Sequence, residues 1–319
     1  MSSQTTTPPP PLSRRVKNLG KLGLRRAFEV GQRLGVDVLP RHFYSEVPDL
    51  RTLRDGDEWK RRGSMTGVLG TDLDAQLGFI ATCMTPEIRD RLAHEGASEP
   101  ACEENGQPGF GPVEADVLHA FIARHRPARI VQIGCGVSTS VILRAAAETG
   151  YAPEVLCVEP YPSRFLREAD ADGRIRLLAQ NAQTVPLEFL TELGESGLLF
   201  VDSSHAVKPG SEVNRIVLEV LPRLKTGGFV HFHDVYFPFD YQPGLLDEEL
   251  FFSSESVLLQ AYLTDNPRFA IAASLSMLHH GRSEALSALL PNYRPAPFEH
   301  GLRKGAGHFP TSIYLRVIN

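Results

Sequence analysis

Cysteine is scarce in this chain. Cys83, Cys102, Cys135 and Cys157 are four among 319 residues, and no two stand in C-x-x-C spacing. That excludes the usual zinc-ribbon pattern and a disulfide framework, and leaves small buried thiols as the plain reading. No apolar run approaches the roughly 18 residues of a membrane span, and no leader of basic then apolar residues opens the chain, so the expectation is cytoplasmic with no membrane partner. Excess charge of one sign is missing too. A net charge of −5 gives no footing for nonspecific nucleic-acid binding. No internal repeat is visible, which removes solenoids and propellers. With 42% hydrophobic residues, the chain can bury a full core as one large domain or a domain with an extension.

Residues 1–12 are mostly Ser, Thr, Gln and Pro, with four prolines at 8–11, and read as a disordered tail. Residues 13–112 read as an N-terminal helical and lid extension, and residues 113–319 as the main domain. From Arg14 to Arg33 the chain is basic with an imperfect apolar face, expected as a solvated helix. The proline-bounded stretch Val38 to Pro48 is a lid candidate, with a packed arm as the alternative. Leu73 to Leu92 reads as one or two helices, and Ala97 to Gly111 as a loop rich in Glu, Pro and Gly. From Val113 onward, helical spacing alternates with short apolar runs at Ile130–Ile133, Val155–Val158, Ile175–Leu178, Leu198–Val201 and Gly228–Phe232. Such alternation predicts an α/β fold with a mostly parallel sheet covered by helices on both faces. Ala270–Leu275 and Ser312–Val317 are two further strand candidates.

The chain is organised around Ile130-Val131-Gln132-Ile133-Gly134-Cys135-Gly136-Val137-Ser138-Thr139-Ser140. An apolar run, Gly-x-Gly and a helix is how a parallel sheet offers backbone N–H groups to a nucleotide-like ligand. Ser138 and Thr139 are placed to cap that helix. The next apolar run ends in Glu159, an acid suited to accept two hydrogen bonds from a ribose diol. These residues, Gln-Ile-Gly-Cys-Gly-Val-Ser-Thr-Ser and then Cys-Val-Glu-Pro, resemble motif I and the second-strand acid of class I S-adenosylmethionine-dependent methyltransferases. The resemblance spans Val113 to Asp240. It departs at Gln132, where the family usually has an acid, and the third glycine of the dinucleotide fingerprint is replaced by Thr139. It implies a Rossmann-like seven-stranded sheet closed by an antiparallel hairpin, and S-adenosyl-L-methionine as cofactor. The implied cofactor contacts are Gln132, Gly134, Cys135, Gly136, Ser138, Thr139, Glu159, Gln180, Asn181 and Asp202.

Ligands of open α/β sheets sit beyond the carboxyl ends of the strands. There the fourth run ends in Asp202-Ser203-Ser204-His205 and the fifth in His231-Phe232-His233-Asp234. Asp202, His233 and Asp234 can converge on one divalent cation, with His205 free to act as a base near its ordinary pKa of about 6.5. Carboxylates favour Mg2+, while an imidazole suits manganese, iron or zinc better. The alternative leaves both aspartates holding helix ends or loops and the histidines satisfied in the core. Asp-x-x-His and the pair after the fifth strand are similar to metal-dependent O-methyltransferases acting on antibiotic sugars. That resemblance implies Asp202, His205 and His233 as catalytic residues and Asp202, His233 and Asp234 as metal ligands, with His233 standing where the family has Glu. The aromatic run Val235 to Pro243 can wall an acceptor pocket or pack as an ordinary loop. His279, His280 and His300 lie outside any motif.

The function expected is methyl transfer to a hydroxyl of a small natural-product or sugar-like acceptor. The alternatives are a different S-adenosylmethionine reaction, such as cyclisation, and a catalytically silent binding subunit. A homo-oligomer is compatible with the chain and not specified by it.

Overall fold

The computed structural model describes residues 12–194, 196–241, 251–299, 303–304 and 306–319. Residues 1–11 of the proposed tail, Gln242, Pro243 and His300 fall outside the described residues, and Leu12, the last residue of that tail, begins a helix. The chain divides into two compact units, Met1–Gly56 and Asp57–Asn319. In the first, helices α1 (Leu12–Arg33) and α2 (Leu50–Asp55) are joined by residues 34–49, which turn and bend without forming helix or strand. Asp49 caps α2 by accepting the Arg51 N–H, and it also pairs with Arg41.

The second unit holds a seven-stranded sheet. Its strands are β1 (Arg129–Ile133), β2 (Glu154–Val158), β3 (Arg176–Leu178), β4 (Leu198–Val201), β5 (Phe229–Phe232), β6 (Phe269–Ser274) and β7 (Ile313–Val317). Their spatial order is β3-β2-β1-β4-β5-β7-β6. The first five are parallel, whereas β7 runs antiparallel to both β5 and β6. Strand order reverses at β1, so the crevice between the carboxyl ends of β1 and β4 is where a ligand is accommodated. The Rossmann-like sheet and its closing hairpin are as expected from the sequence.

Strand alternation explains why the runs are apolar throughout. Ile130, Val155, Leu198 and Phe200 enter one core, while Val131, Leu156, Leu199 and Val201 enter the other. Both faces are covered, so apolar residues fill nearly every position and the polar exceptions, Gln132 and His231, are hydrogen-bonded inside. Helices α3 (Leu73–Cys83), α4 (Pro86–His94), α5 (Ser98–Asn105), α6 (Pro112–His125) and α7 (Val137–Glu148) precede or follow β1. Then come α8 (Arg164–Ala171), α9 (Leu187–Thr191), α10 (Glu212–Arg215), α11 (Glu255–Leu263) and α12 (Leu275–Leu289).

Two expectations change. Ala97–Gly111 is not one loop: Ser98–Asn105 is helical and ends on Gly106, whose φ of +80° suits a glycine C-cap. Helix α3 packs on β6, α6 and α12, so the elements before Val113 share the core of the sheet-bearing unit. Among the described residues no helix is long and apolar enough to cross a membrane.

Candidate active site

The turn after β1 is built by backbone. Gly134 has φ +82°, and a Cβ there would lie 1.6 Å from the carbonyl oxygen of Asp202. Only glycine lets β1 approach the end of β4 this closely. The Cys135 N–H donates to Glu159 Oε2 at 3.3 Å and the Tyr161 N–H to Oε1 at 2.8 Å. Glu159 is thereby held at the end of β2 with lone pairs to spare for a diol.

Around this turn lie two adjoining cavities. One, of about 310 Å³, is lined by Gly134, Glu159, Asn181, Asp202, Ser203 and Glu212 among others. The other, of about 220 Å³, is lined by Asn105, Phe110, Cys135, Gly136, Ser138 and again Gly134, Glu159 and Asp202.

Some residues assigned to the cofactor by the sequence are used elsewhere. Gln132 is fully buried, donates to Ser138 Oγ at 3.2 Å and accepts from Cys157 Sγ at 3.7 Å. Thr139 is likewise buried, and its hydroxyl accepts the Gly136 N–H at 3.2 Å. Their hydrogen bonds hold the turn, so Gln132 and Thr139 shape the site from behind. Ser138 is buried but borders the smaller cavity. Gln180 is exposed and does not line the larger cavity, since β3 stops at Leu178; Asn181 does line it.

The second cluster joins the ends of β4 and β5. His205 Nε2 lies 3.3 Å from Asp202 Oδ1 and 3.6 Å from Asp234 Oδ2. His233 Nδ1 lies 3.6 Å from Asp202 Oδ1 and 3.4 Å from Asp234 Oδ1. Both ring nitrogens of His233 are buried without a hydrogen bond, close enough to the carboxylates for ion pairing yet not aligned to donate. His205 and Asp234 sit at φ +54° and +55°, a region non-glycine residues occupy sparingly and that recurs at functional sites. Thr311 Oγ1 donates to Asp234 Oδ1 at 3.0 Å, and the Thr311 N–H to Glu114 Oε1 at 2.9 Å.

Two buried acids here were not picked from the sequence. Glu255, at the start of α11, accepts from His205 Nδ1 at 2.8 Å and is wholly inaccessible. Glu114, on the first turn of α6, is buried beside His233, which acts on it electrostatically. Neither stands in a motif. The only local signal for Glu114 is an acid in a first helical turn, and Glu255 has a Ser-Ser-Glu helix start of the kind found in many helices.

Electrostatics alter the expected role of His205. Burial opposes its charge, but Asp202, Glu255 and Asp234 outweigh burial and push its pKa up to about 10. His233 behaves alike: burial is outweighed by Asp202 and Asp234, and the pKa rises to about 9. For Asp234, burial is overcome by His233 and His205, leaving the carboxyl well below its usual range; Asp202 is lowered for the same reasons. With no metal bound these carboxylates favour the charged imidazole, which must lose a proton before His205 can serve as a base or as a ligand. His231 is a core residue, stacked on Phe200 at 4.3 Å with Nε2 2.9 Å from Ser312 Oγ.

Ligand atoms of Asp202, His205 and His233 lie within 4.8 Å of one another. The orphaned nitrogens of His233 and the flanking carboxylates fit a divalent cation. Beyond Asp234, Val235, Tyr236, Phe237, Phe239 and Tyr241 are buried, and Pro238, Phe239 and Asp240 line a separate cavity of about 380 Å³ with Glu58 and Trp59. His279 is buried with Nδ1 2.6 Å from the Tyr293 hydroxyl.

This geometry can be compared with known proteins. A family model described as a methyltransferase domain matches residues 131–235, from β1 to just past Asp234. An uncharacterized protein of Archaeoglobus fulgidus is 30% identical over 197 residues, covering 57% of this chain and 85% of that protein. A methyltransferase of Podospora anserina solved with S-adenosylhomocysteine is 16% identical, covering 89% of this chain and 99% of its own, with a TM-score of 0.40. A Burkholderia thailandensis 1,6-didemethyltoxoflavin N1-methyltransferase is 17% identical over 72% of this chain and 82% of its own, with a TM-score of 0.38. The assignment does not rest on these two distant likenesses. It rests on the matched domain and the strand order: the chain carries a methyltransferase domain of the class I S-adenosylmethionine-dependent family.

Proposed function

We propose that the chain transfers the methyl group of S-adenosylmethionine to an oxygen of a small-molecule acceptor. One observation carries the reading: Asp202 lines both cavities and belongs to the charged cluster, so cofactor and acceptor meet at one carboxylate. Glu159 receives the ribose hydroxyls, and Asn181 offers an amide to the adenine. The turn amides approach the methionine portion.

A sulfonium methyl is already activated, so alignment and proton removal remain for the protein. As the C–O bond forms, the C–S bond breaks and its electron pair stays on sulfur. The acceptor oxygen gains positive charge in that step, and its proton becomes strongly acidic. A carboxylate of low pKa then suffices as proton acceptor, and Asp202 is the one facing both cavities. With no metal bound, the charged imidazoles of His205 and His233 keep Asp202 and Asp234 ionised; a bound cation would replace the imidazole proton and take over that role. A divalent cation bound by Asp202, His233 and Asp234 would supply Lewis acidity, lowering the pKa of the acceptor hydroxyl.

The test is calorimetric titration with S-adenosylhomocysteine, followed by mass spectrometry of hydroxylated acceptors incubated with S-adenosylmethionine. Micromolar binding and a product heavier by one methylene support the reading. Methylthioadenosine as product, methylation only at nitrogen, or no cofactor binding would overturn it.

A further inference from the structure

We propose that His205 is itself a metal ligand, oriented by Glu255, and that the site prefers a transition divalent ion to magnesium. This deepens the reading of the β4–β5 edge as a cation-assisted acceptor site and rests on it.

The argument begins with the proton on the imidazole. Glu255 Oε2 lies 2.8 Å from His205 Nδ1, and Glu255 is wholly buried. A carboxylate there accepts the Nδ1–H and fixes that tautomer, which leaves the Nε2 lone pair as the available one when the ring is neutral. Nε2 is the atom that faces Asp202 and Asp234, at 3.3 and 3.6 Å. A carboxylate behind an imidazole whose far nitrogen faces other ligands is the arrangement that orients metal-bound histidines.

Glu255 has little else to do. Its second oxygen, Oε1, is buried with no hydrogen-bond partner among the described residues. The same helix start also holds the His205 backbone. The N–H groups of Ser254 and Glu255 donate to the His205 carbonyl at 3.1 and 3.2 Å, and Ser253 Oγ does so at 3.3 Å. Ser254 Oγ accepts the Val207 N–H at 2.9 Å. Both side chain and backbone of His205 are thus fixed from α11, which keeps the residue at its φ of +54°.

The second imidazole points the same way. His233 carries two buried ring nitrogens without hydrogen bonds, a costly arrangement in the absence of a partner. A cation among Asp202, His205 and His233 would satisfy one of the two nitrogens. Two imidazole nitrogens beside carboxylate oxygens form a borderline donor set. Magnesium prefers oxygen donors and retains its waters, whereas manganese, iron, cobalt and zinc accept imidazole readily.

The experiment uses the full chain after chelation, titrated separately with Mg2+, Mn2+, Co2+ and Zn2+. S-adenosylhomocysteine affinity is measured on every sample as the control for fold. The expected result is binding of Mn2+, Co2+ and Zn2+ at least about tenfold tighter than Mg2+, with visible Co2+ bands typical of nitrogen ligation. His205→Ala and the isosteric Glu255→Gln should each weaken Co2+ by roughly 10–100-fold, the range for loss of such partners, and shift the bands. Cofactor affinity should stay within a few-fold. Glu255→Asp is the second variant, expected to weaken Co2+ less than Glu255→Gln. Equal affinity for Mg2+ and Co2+, Co2+ spectra untouched by His205→Ala, or no cation binding would overturn the inference. In those cases intact cofactor binding leaves the methyltransferase reading standing. Loss of cofactor binding in the wild-type protein with metal binding intact would overturn that reading instead.

Discussion

The two halves of the site solve the same packing problem by opposite means. After β1, the chain removes side chains: Gly134 lets the turn press against the carbonyl of Asp202, and Glu159 is gripped by backbone N–H groups. At the ends of β4 and β5, charged side chains are crowded together, and two non-glycine residues sit at positive φ to achieve it. The first half is local, drawn from one strand–turn–helix unit and the next strand. The second is assembled from β4, β5, the start of α11, the start of α6 and the residues before β7. Backbone recognition suits a cofactor whose shape is constant. Side-chain chemistry from dispersed elements suits an acceptor and a proton that must be handled individually.

The sharpest way to break this contrast is to give the turn a side chain. Gly134→Val should abolish S-adenosylhomocysteine binding and destabilise the protein by roughly 2–5 kcal/mol, combining positive-φ strain with overpacking against Asp202. Calorimetry and chemical denaturation read both effects, and wild-type affinity would show that the turn is not where the cofactor lies. Next in size is Asp202→Asn, which keeps shape but removes the shared charge. Turnover should fall by about 100-fold or more while cofactor affinity changes less than about tenfold. Steady-state kinetics with the acceptor varied would separate the two, and unimpaired turnover would remove Asp202 as proton acceptor.

Glu159→Gln probes the other half. It should weaken the cofactor by about 10–100-fold, matching about 1.5–3 kcal/mol for hydrogen bonds to a charged group, and leave saturated turnover nearly unchanged. A large drop in turnover at saturation would blur the division of labour. The last prediction concerns pH. In chelated protein the folded pKa values of His205 and His233 are raised to about 10 and 9 from 6.5. Groups raised in this way stabilise fully below pH 6.5, and that stabilisation is lost as pH climbs through 9 and 10. Thermal midpoints should therefore decline from pH 7 to 10, and less steeply in His205→Asn. Parallel curves for the two proteins would show that His205 does not gain its proton from the fold.

Much of the fold was legible because the sheet buries both faces, so its strands are near-continuous apolar runs punctuated by glycines. The cofactor turn was legible for a related reason, that its geometry needs particular residue types at fixed spacing. Side-chain direction was not legible. Gln132 and Thr139 lie within the motif, but the strand and helix turn them inward, where they bond to Ser138 and to the Gly136 N–H. Distance along the chain hid the rest. Glu255 lies 50 positions from His205, on a helix whose sequence has no marked apolar stripe. Without that acid the imidazole reads as an ordinary base; with it, Nδ1 is engaged and the ring is held in place. The helix of Ser98–Asn105 was missed because its Glu- and Pro-rich composition resembles a loop, and only packing against α6, α7 and α8 makes it regular.

The position of β7 bears on how the enzyme is made. His231 on β5 meets Ser312 across 81 positions, and Phe232 pairs with Ile313. During synthesis the strands from β1 to β5 emerge and can associate in order, but β5 keeps an open hydrogen-bonding edge until residues 313–317 leave the ribosome. Thr311, which ties Asp234 and Glu114 together, arrives at the same moment. The β5 edge of the sheet is therefore paired only by residues far along the chain, and Asp234 and Glu114 are tied together only with them.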